Sequence, residues 1–247
     1  MNYSKDLELK IYDFDDESLL VYDEKGLVPD RDNQVTYSKN PYMLLSKKDG
    51  SIVSSLDITV PVRLPYSVNE AVTIDGQQTR LYQNVYPRIF TIRNGQNFVI
   101  SDVSSDTIYL LTKNRELYPL INRSPSVHSS SLIKTLSAML LTDNFIFLNL
   151  RLFDFDESSD FSTIISLIHE FESGLTSEVK FLNDDFPNRT WNPEKVNIQQ
   201  TNIAACLIQV PSLYEAYKGK QLKGDLEKLI ATLKDDDNPV VMIAKFK

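Results

Sequence analysis

With 247 residues, 42% of them hydrophobic and 10% aromatic, the chain carries enough apolar matter for one large domain or two small ones, which excludes a disordered polymer. A net charge of −8 and a pI near 4.9 repel phosphate backbones and anionic lipid, making nucleic acid and membrane poor partners. The single cysteine, Cys206, can form no intramolecular disulfide and no cysteine-based zinc site; it lies in the apolar run 203–208, where a thiol acts as a small hydrophobe.

The first residues, Met1–Asp6, lack the apolar core of a signal peptide, and no run approaches the roughly 18 apolar residues of a membrane span. The expected location is cytoplasmic, or within a virion or other assembly. The next hundred residues read as strands separated by hairpin turns. Strands are expected at Leu7–Tyr12, Ile52–Val62 and Ile108–Thr112, with Ile89–Arg93 and Phe98–Ile100 flanking one turn. Asp49-Gly50, Asp75-Gly76 and Asn94-Gly95 are the dipeptides that type I′ turns favour, since both central residues need positive φ. A β-rich meander, closing into a barrel or sandwich, is the expected front half, residues 1–122.

Pro125 among Ser124, Ser126, Ser129 and Ser130 marks a linker, residues 123–130. Residues 131–247 read as α/β. Leu132, Ile133, Leu136 and Leu140 fit one face of a helix over Ser131–Leu141, and Phe145–Leu152 reads as a strand. Phe161, Ile164, Ile165, Ile168 and Phe171 form a helical stripe capped by Asp160 and stopped by Gly174. A strand Glu178–Leu182, a polar loop Asn183–Gln200, a strand Ile203–Val210, a helix spanning Leu222–Leu233 and a strand Val240–Phe246 follow. The order from Phe145 is β-α-β, loop, β-α-β, the pattern of a ferredoxin-like sandwich. The expected class is therefore α+β.

Catalytic signals are sparse. The seven glycines are scattered, so no G-x-G-x-x-G or Walker A pattern exists and no cofactor is expected. His128 lies in the linker, and His169 falls off the expected helical stripe, far from it in sequence. Two acidic near-repeats, Ile11–Ser18 and Leu152–Ser159, put Asp13 with Asp15 and Asp154 with Asp156 at a spacing that sends both carboxylates to one side of an extended chain. Such pairs suit Mg²⁺. The first repeat resembles the opening motif of haloacid dehalogenase-type phosphatases. The resemblance implies a nucleophile at Asp13 and a general acid at Asp15, although Asp16-Glu17-Ser18 departs from the residues that motif has next. Glu178-Val-Lys180 is similar to the Glu-x-Lys half of a nuclease metal site.

The loop 183–200 holds the only tryptophan, Trp191, with Arg189 and Phe186 nearby; Trp, Phe and Arg are the types that interfaces enrich at their anchors. Tyr82, Tyr86 and Arg88 form a second candidate surface, interrupted by Pro87. The expected function is a non-catalytic interaction or assembly subunit of a larger protein complex, in the style of a phage or low-GC microbial component. Its partners would be proteins, in a homo- or hetero-oligomer. The alternative is a Mg²⁺-dependent hydrolase, phosphatase-like or nuclease-like, using the Asp pairs.

Overall fold

The computed structural model describes residues 9–23, 40–60, 62–65, 67–74, 76–85, 89–129, 132–153, 163–191, 202–234 and 236–246. In chain order the strands are β1 (Leu9–Asp13), β2 (Ser18–Asp23), β3 (Tyr42–Ser46), β4 (Ile52–Ser55), β5 (Ser67–Ile74), β6 (Gln77–Asn84), β7 (Ile89–Asn94), β8 (Asn97–Asp102) and β9 (Thr107–Leu111). They continue as β10 (Leu117–Asn122), β11 (Lys134–Leu141), β12 (Phe145–Leu152), β13 (Thr163–Glu170), β14 (Thr176–Glu178), β15 (Phe181–Asn183), β16 (Phe186–Trp191) and β17 (Ile203–Ile208). Two short helices, α1 (Val210–Lys218) and α2 (Gly224–Ile230), precede the last strand, β18 (Val240–Lys245). Among the described residues these strands form three four-stranded meanders, β1-β2-β3-β4, β10-β9-β8-β7 and β11-β12-β13-β14, and three two-stranded pairs, β5-β6, β15-β16 and β17-β18.

The chain divides into two compact units: Met1–Thr91 with Gln96–Ser137 and Arg151–Thr163, and Ile92–Gly95 with Ala138–Leu150 and Ile164–Lys247. In the first unit the central strands β2 and β8 are buried along nearly their whole length. In β2 and β3, Leu20, Tyr22, Tyr42 and Leu44 turn inward and join Phe14, Ile58, Val60, Phe98, Ile100 and Leu111 in one apolar cluster. The turn after β3 closes with the Gly50 N–H on the Ser46 carbonyl at 2.8 Å and the Ser46 N–H on the Ser51 carbonyl at 2.8 Å. Gly50 (φ 70°) and Gly95 (φ 62°) are left-handed while Asp49 and Asn94 are not. These turns are thus not type I′; a single left-handed glycine closes a longer loop between β3 and β4 and a two-residue connection, Gly95-Gln96, between β7 and β8.

The expected α+β class and ferredoxin-like back half are corrected to a mostly β fold. Two of the three helices expected behind residue 130 are strands. Over 134–141 the chain forms β11, whose buried residues include Thr135 and Ser137. Hydroxyl side chains at inward positions break the apolar alternation, and the remaining leucines fall by chance at helical spacing. The stripe Ile164, Ile165 and Ile168 belongs to β13, a β-branched run that is nowhere fully buried on either face. Apolar residues on both faces erase the alternation that would have announced a strand. Gly174 closes the β13–β14 turn, its N–H on the Glu170 carbonyl at 2.9 Å, instead of ending a helix. The polar loop begins with a hairpin, β15–β16, and α1 stands where no helix was expected.

Candidate functional site

β17 and β18 pair antiparallel, with Ile203 opposite Lys245, Ala205 opposite Ile243, Leu207 opposite Val241 and Ile208 opposite Val240. Successive side chains alternate between faces, so the hairpin has an even-numbered and an odd-numbered face. The even face is covered. Ile208, with Cys206, Val240 and Met242, packs on Val210, Leu213 and Ala216 of α1 and on Leu222, Leu226 and Ile230 around α2. Local chemistry sets both helices there. Pro211 opens α1, where its missing N–H costs nothing. Asp225 and Glu227 occupy the first turn of α2, where the helix dipole favours negative charge. Asp185, in the β15–β16 turn, accepts the Lys223 N–H on its carbonyl at 2.8 Å and the Leu226 N–H on its carboxylate at 3.3 Å.

The odd face is covered at Ala205, which is 1% exposed, and open at its outer positions. Leu207 is 53% exposed, Val241 55% and Ile243 59%, whereas Leu213 and Ile230 on the covered side are at 0%. Three aliphatic side chains thus form a stripe in solvent on a sheet whose other face is a packed core. The start of β17 is tied down, since the Asp143 N–H donates to Asn202 Oδ1 at 2.9 Å and Asn202 Nδ2 donates to Asp143 Oδ2 at 2.6 Å. Among the described residues no strand pairs with β18 on the side away from β17.

The residues singled out from the sequence are dispersed. Phe186 is buried at 6% exposure in the core beneath α1 and α2. Trp191 sits on β16 opposite Phe181, with Arg189 two residues earlier; their side chains lie outside the described set. Tyr82 is on β6 opposite Asn69, its side chain likewise outside that set, and Tyr86, Arg88, Asp154 and Asp156 lie outside the described residues. Asp13 meets the Lys47 ammonium at 2.5 Å. Asp15 Oδ1 accepts the Glu17 and Ser18 amides at 2.9 and 2.6 Å, while Oδ2 meets Arg115 at 3.3 Å. Burial would raise the Asp15 carboxyl, but the Glu17 amide, Arg115 and the Ser18 amide outweigh it and hold it below the usual carboxylate range. Each carboxylate of this pair is therefore engaged by a separate cation. Among the described residues no three His, Cys, Asp or Glu side chains gather in a metal-holding group. His169 Nδ1 lies 2.9 Å from Thr176 Oγ1 across β13–β14, and His128 Nε2 lies 3.0 Å from the Ser104 carbonyl. A cavity lined by Met139, Phe147, Asn149, Ser166 and Phe181 measures only about 10 Å³, room for one water.

Sequence reasoning missed a buried polar network in the first unit. The side chains of Arg63 and Asp102 are 5% and 2% exposed and lie 3.8 Å apart. Tyr42 donates to Asp102 Oδ2 at 3.2 Å, Arg63 donates to the Tyr22 hydroxyl and lies 5.2 Å from that ring's centre, and Asp102 Oδ1 accepts the Ser104 amide at 2.9 Å. Burial, joined by the Asp102 charge and hydrogen bond, pushes the Tyr42 phenol well above its ordinary range. Nothing in the spacing of positions 22, 42, 63 and 102 signals this convergence; only the folded register brings it about.

The sequence matches no protein-family model and no curated protein. A solved structure from Bacteroides fragilis, described provisionally as an exported protein, aligns with 100% of this chain and 76% of its own at 11% identity and a TM-score of 0.46. A likeness that weak carries no argument about activity. That protein's description differs from the cytoplasmic or virion location expected from the sequence, which is not carried forward. No helix among the described residues is long and apolar enough to cross a membrane.

Proposed function

We propose that this chain is a non-catalytic interaction subunit that joins a larger protein assembly through the odd-numbered face of β17–β18. The observation that carries the reading is the stripe Leu207, Val241 and Ile243, each more than half exposed on a strand pair whose opposite face is core. Covering a half-exposed aliphatic side chain returns about 1 kcal/mol, so contiguous exposed groups of this kind favour a partner over water. Trp191 and Arg189, carried by the neighbouring hairpin β15–β16 in sequence, are of the types that anchor interfaces and form a second element of the same reading. Of the Asp pairs behind the alternative Mg²⁺-dependent hydrolase, Asp13 and Asp15 engage Lys47 and Arg115, and Asp154 and Asp156 lie outside the described residues.

The test replaces Leu207, Val241 and Ile243 together by Thr, which keeps strand propensity while removing apolar surface. Incorporation of the variant into its native-source complex is then followed by size-exclusion chromatography with light scattering. The reading expects loss of incorporation with an unchanged circular-dichroism spectrum. Undiminished incorporation of this variant, and of one carrying Trp191→Ala with Arg189→Ala, would overturn it.

A further inference from the structure

We infer that the partner seated on β18 is a second copy of this chain, paired antiparallel strand to strand about a two-fold axis; this inference rests on the interaction reading above. β18 reads Val-Val-Met-Ile-Ala-Lys, with no proline, no bulge in its pairing to β17, and no charge until its last residue. Natural sheet edges are blunted by such devices; here they stand only at the ends, Pro239 before the strand and Lys245 closing it, which leaves Val240–Ala244 as a template for another strand. Its exposure alternates, with Val241 at 55% and Ile243 at 59% on one face.

The ends of the strand carry opposite charge. Asp236 and Asp237 precede β18, and Lys245 closes it. Antiparallel pairing of two identical strands brings the acidic end of each copy to the basic end of the other. With the axis at Met242, Val241 of one copy faces Ile243 of the next as a cross-strand pair, so the two aliphatic stripes meet and bury their facing flanks. Lys245 then faces Pro239, two residues from Asp237. Parallel pairing would instead set like charge beside like charge. The arrangement is isologous and closes on itself, as most homo-oligomers do. The even faces stay packed on α1 and α2, so pairing requires no change in the core.

Sedimentation equilibrium of the purified full chain tests the inference directly. A monomer–dimer equilibrium in the range of about 1–100 μM is expected. Ile243→Lys should abolish the dimer. Lys245→Glu and Asp236→Lys should each weaken it about tenfold at low salt, and mixing these two variants should restore a heterodimer within about threefold of the original affinity. Asp236 is chosen because Asp237 Oδ2 accepts the Lys234 amide at 2.7 Å and holds its own turn. Should Ile243→Lys fail to fold, the exposed charge variants decide alone. A monomer throughout that range, or a dimer indifferent to all three substitutions, overturns the inference. If the chain is monomeric yet the triple Thr variant still loses its native complex, a different protein occupies the face and the interaction reading stands.

Discussion

Replacing Gly224 by Ala should cost far more than a surface glycine normally does. Gly224 has φ +60°, and a Cβ built there would lie 2.1 Å from Asp185 Oδ1 and 2.8 Å from its Cγ. An alanine in the left-handed region costs about 1–2 kcal/mol by backbone sterics alone. The carboxylate must also swing away, which forfeits the hydrogen bond from the Leu226 amide at 3.3 Å. Loss of a side-chain acceptor at a helix start costs about 0.5–2 kcal/mol. The two add to about 1.5–4 kcal/mol, in a helix held to the core by Leu226 and Ile230. Urea unfolding followed by fluorescence should show the midpoint falling by about 1 M or more. Asp185→Ala alone should cost about 1 kcal/mol. Because the clash and the lost acceptor share one carboxylate, the double variant should cost less than the sum of the singles, by about 0.5–2 kcal/mol. A Gly224→Ala variant within about 0.5 kcal/mol of the original protein, or a strictly additive double variant, would refute this reasoning.

Other consequences follow from the same geometry. Asp102→Ala strips the carboxylate from buried Arg63 and from the Tyr42 hydroxyl and should destabilise the first unit by about 3–5 kcal/mol, read by thermal and urea unfolding. Tyr42 keeps its proton in the folded state above the pH, about 10, where the unfolded phenol loses it, so its contribution is complete below that pH and declines above it. The alkaline fall in stability should be shallower in Tyr42→Phe, which pH-dependent unfolding curves will show. Asp15 has the opposite sign: its depressed carboxyl stabilises above the ordinary carboxylate range and loses that contribution as pH falls through its folded value. Arg115→Ala should reduce acid resistance by less than about 1 kcal/mol, since both partners are more than a third exposed. Leu213→Ala should cost about 2–5 kcal/mol by leaving a void between α1 and the β17–β18 pair, detectable as a lowered midpoint.

The sequence declared its architecture unevenly. Positions such as Gly50 and Gly95 are visible because a left-handed turn residue has few substitutes, and each stands between two short apolar runs. β17 and β18 are visible for the same reason, as short apolar runs between turn residues. β11 and β13 are not. One hides inward hydroxyls at Thr135 and Ser137, and the other spreads isoleucines over two half-open faces, so both mimic a helical stripe. α1 carries a weak local signal, a proline at its first turn followed by Leu213 and Ala216 three residues apart. The open stripe was legible only in part. Leu207, Val241 and Ile243 look like core residues in sequence, and their exposure depends on which face the helices cover. The Arg63–Asp102 network and the Asp185–Gly224 contact join residues about forty positions apart, and local pattern carries no trace of either.

The most direct test of association through β17–β18 is amide hydrogen exchange of the intact chain as its concentration is raised from about 1 to about 100 μM. Slowing confined to Val240–Lys245, with little change in the Thr163–Glu170 strand, is the result expected if β18 acquires a partner strand. Exchange across β18 that stays fast and independent of concentration, in the chain alone and in its native complex alike, would contradict the account.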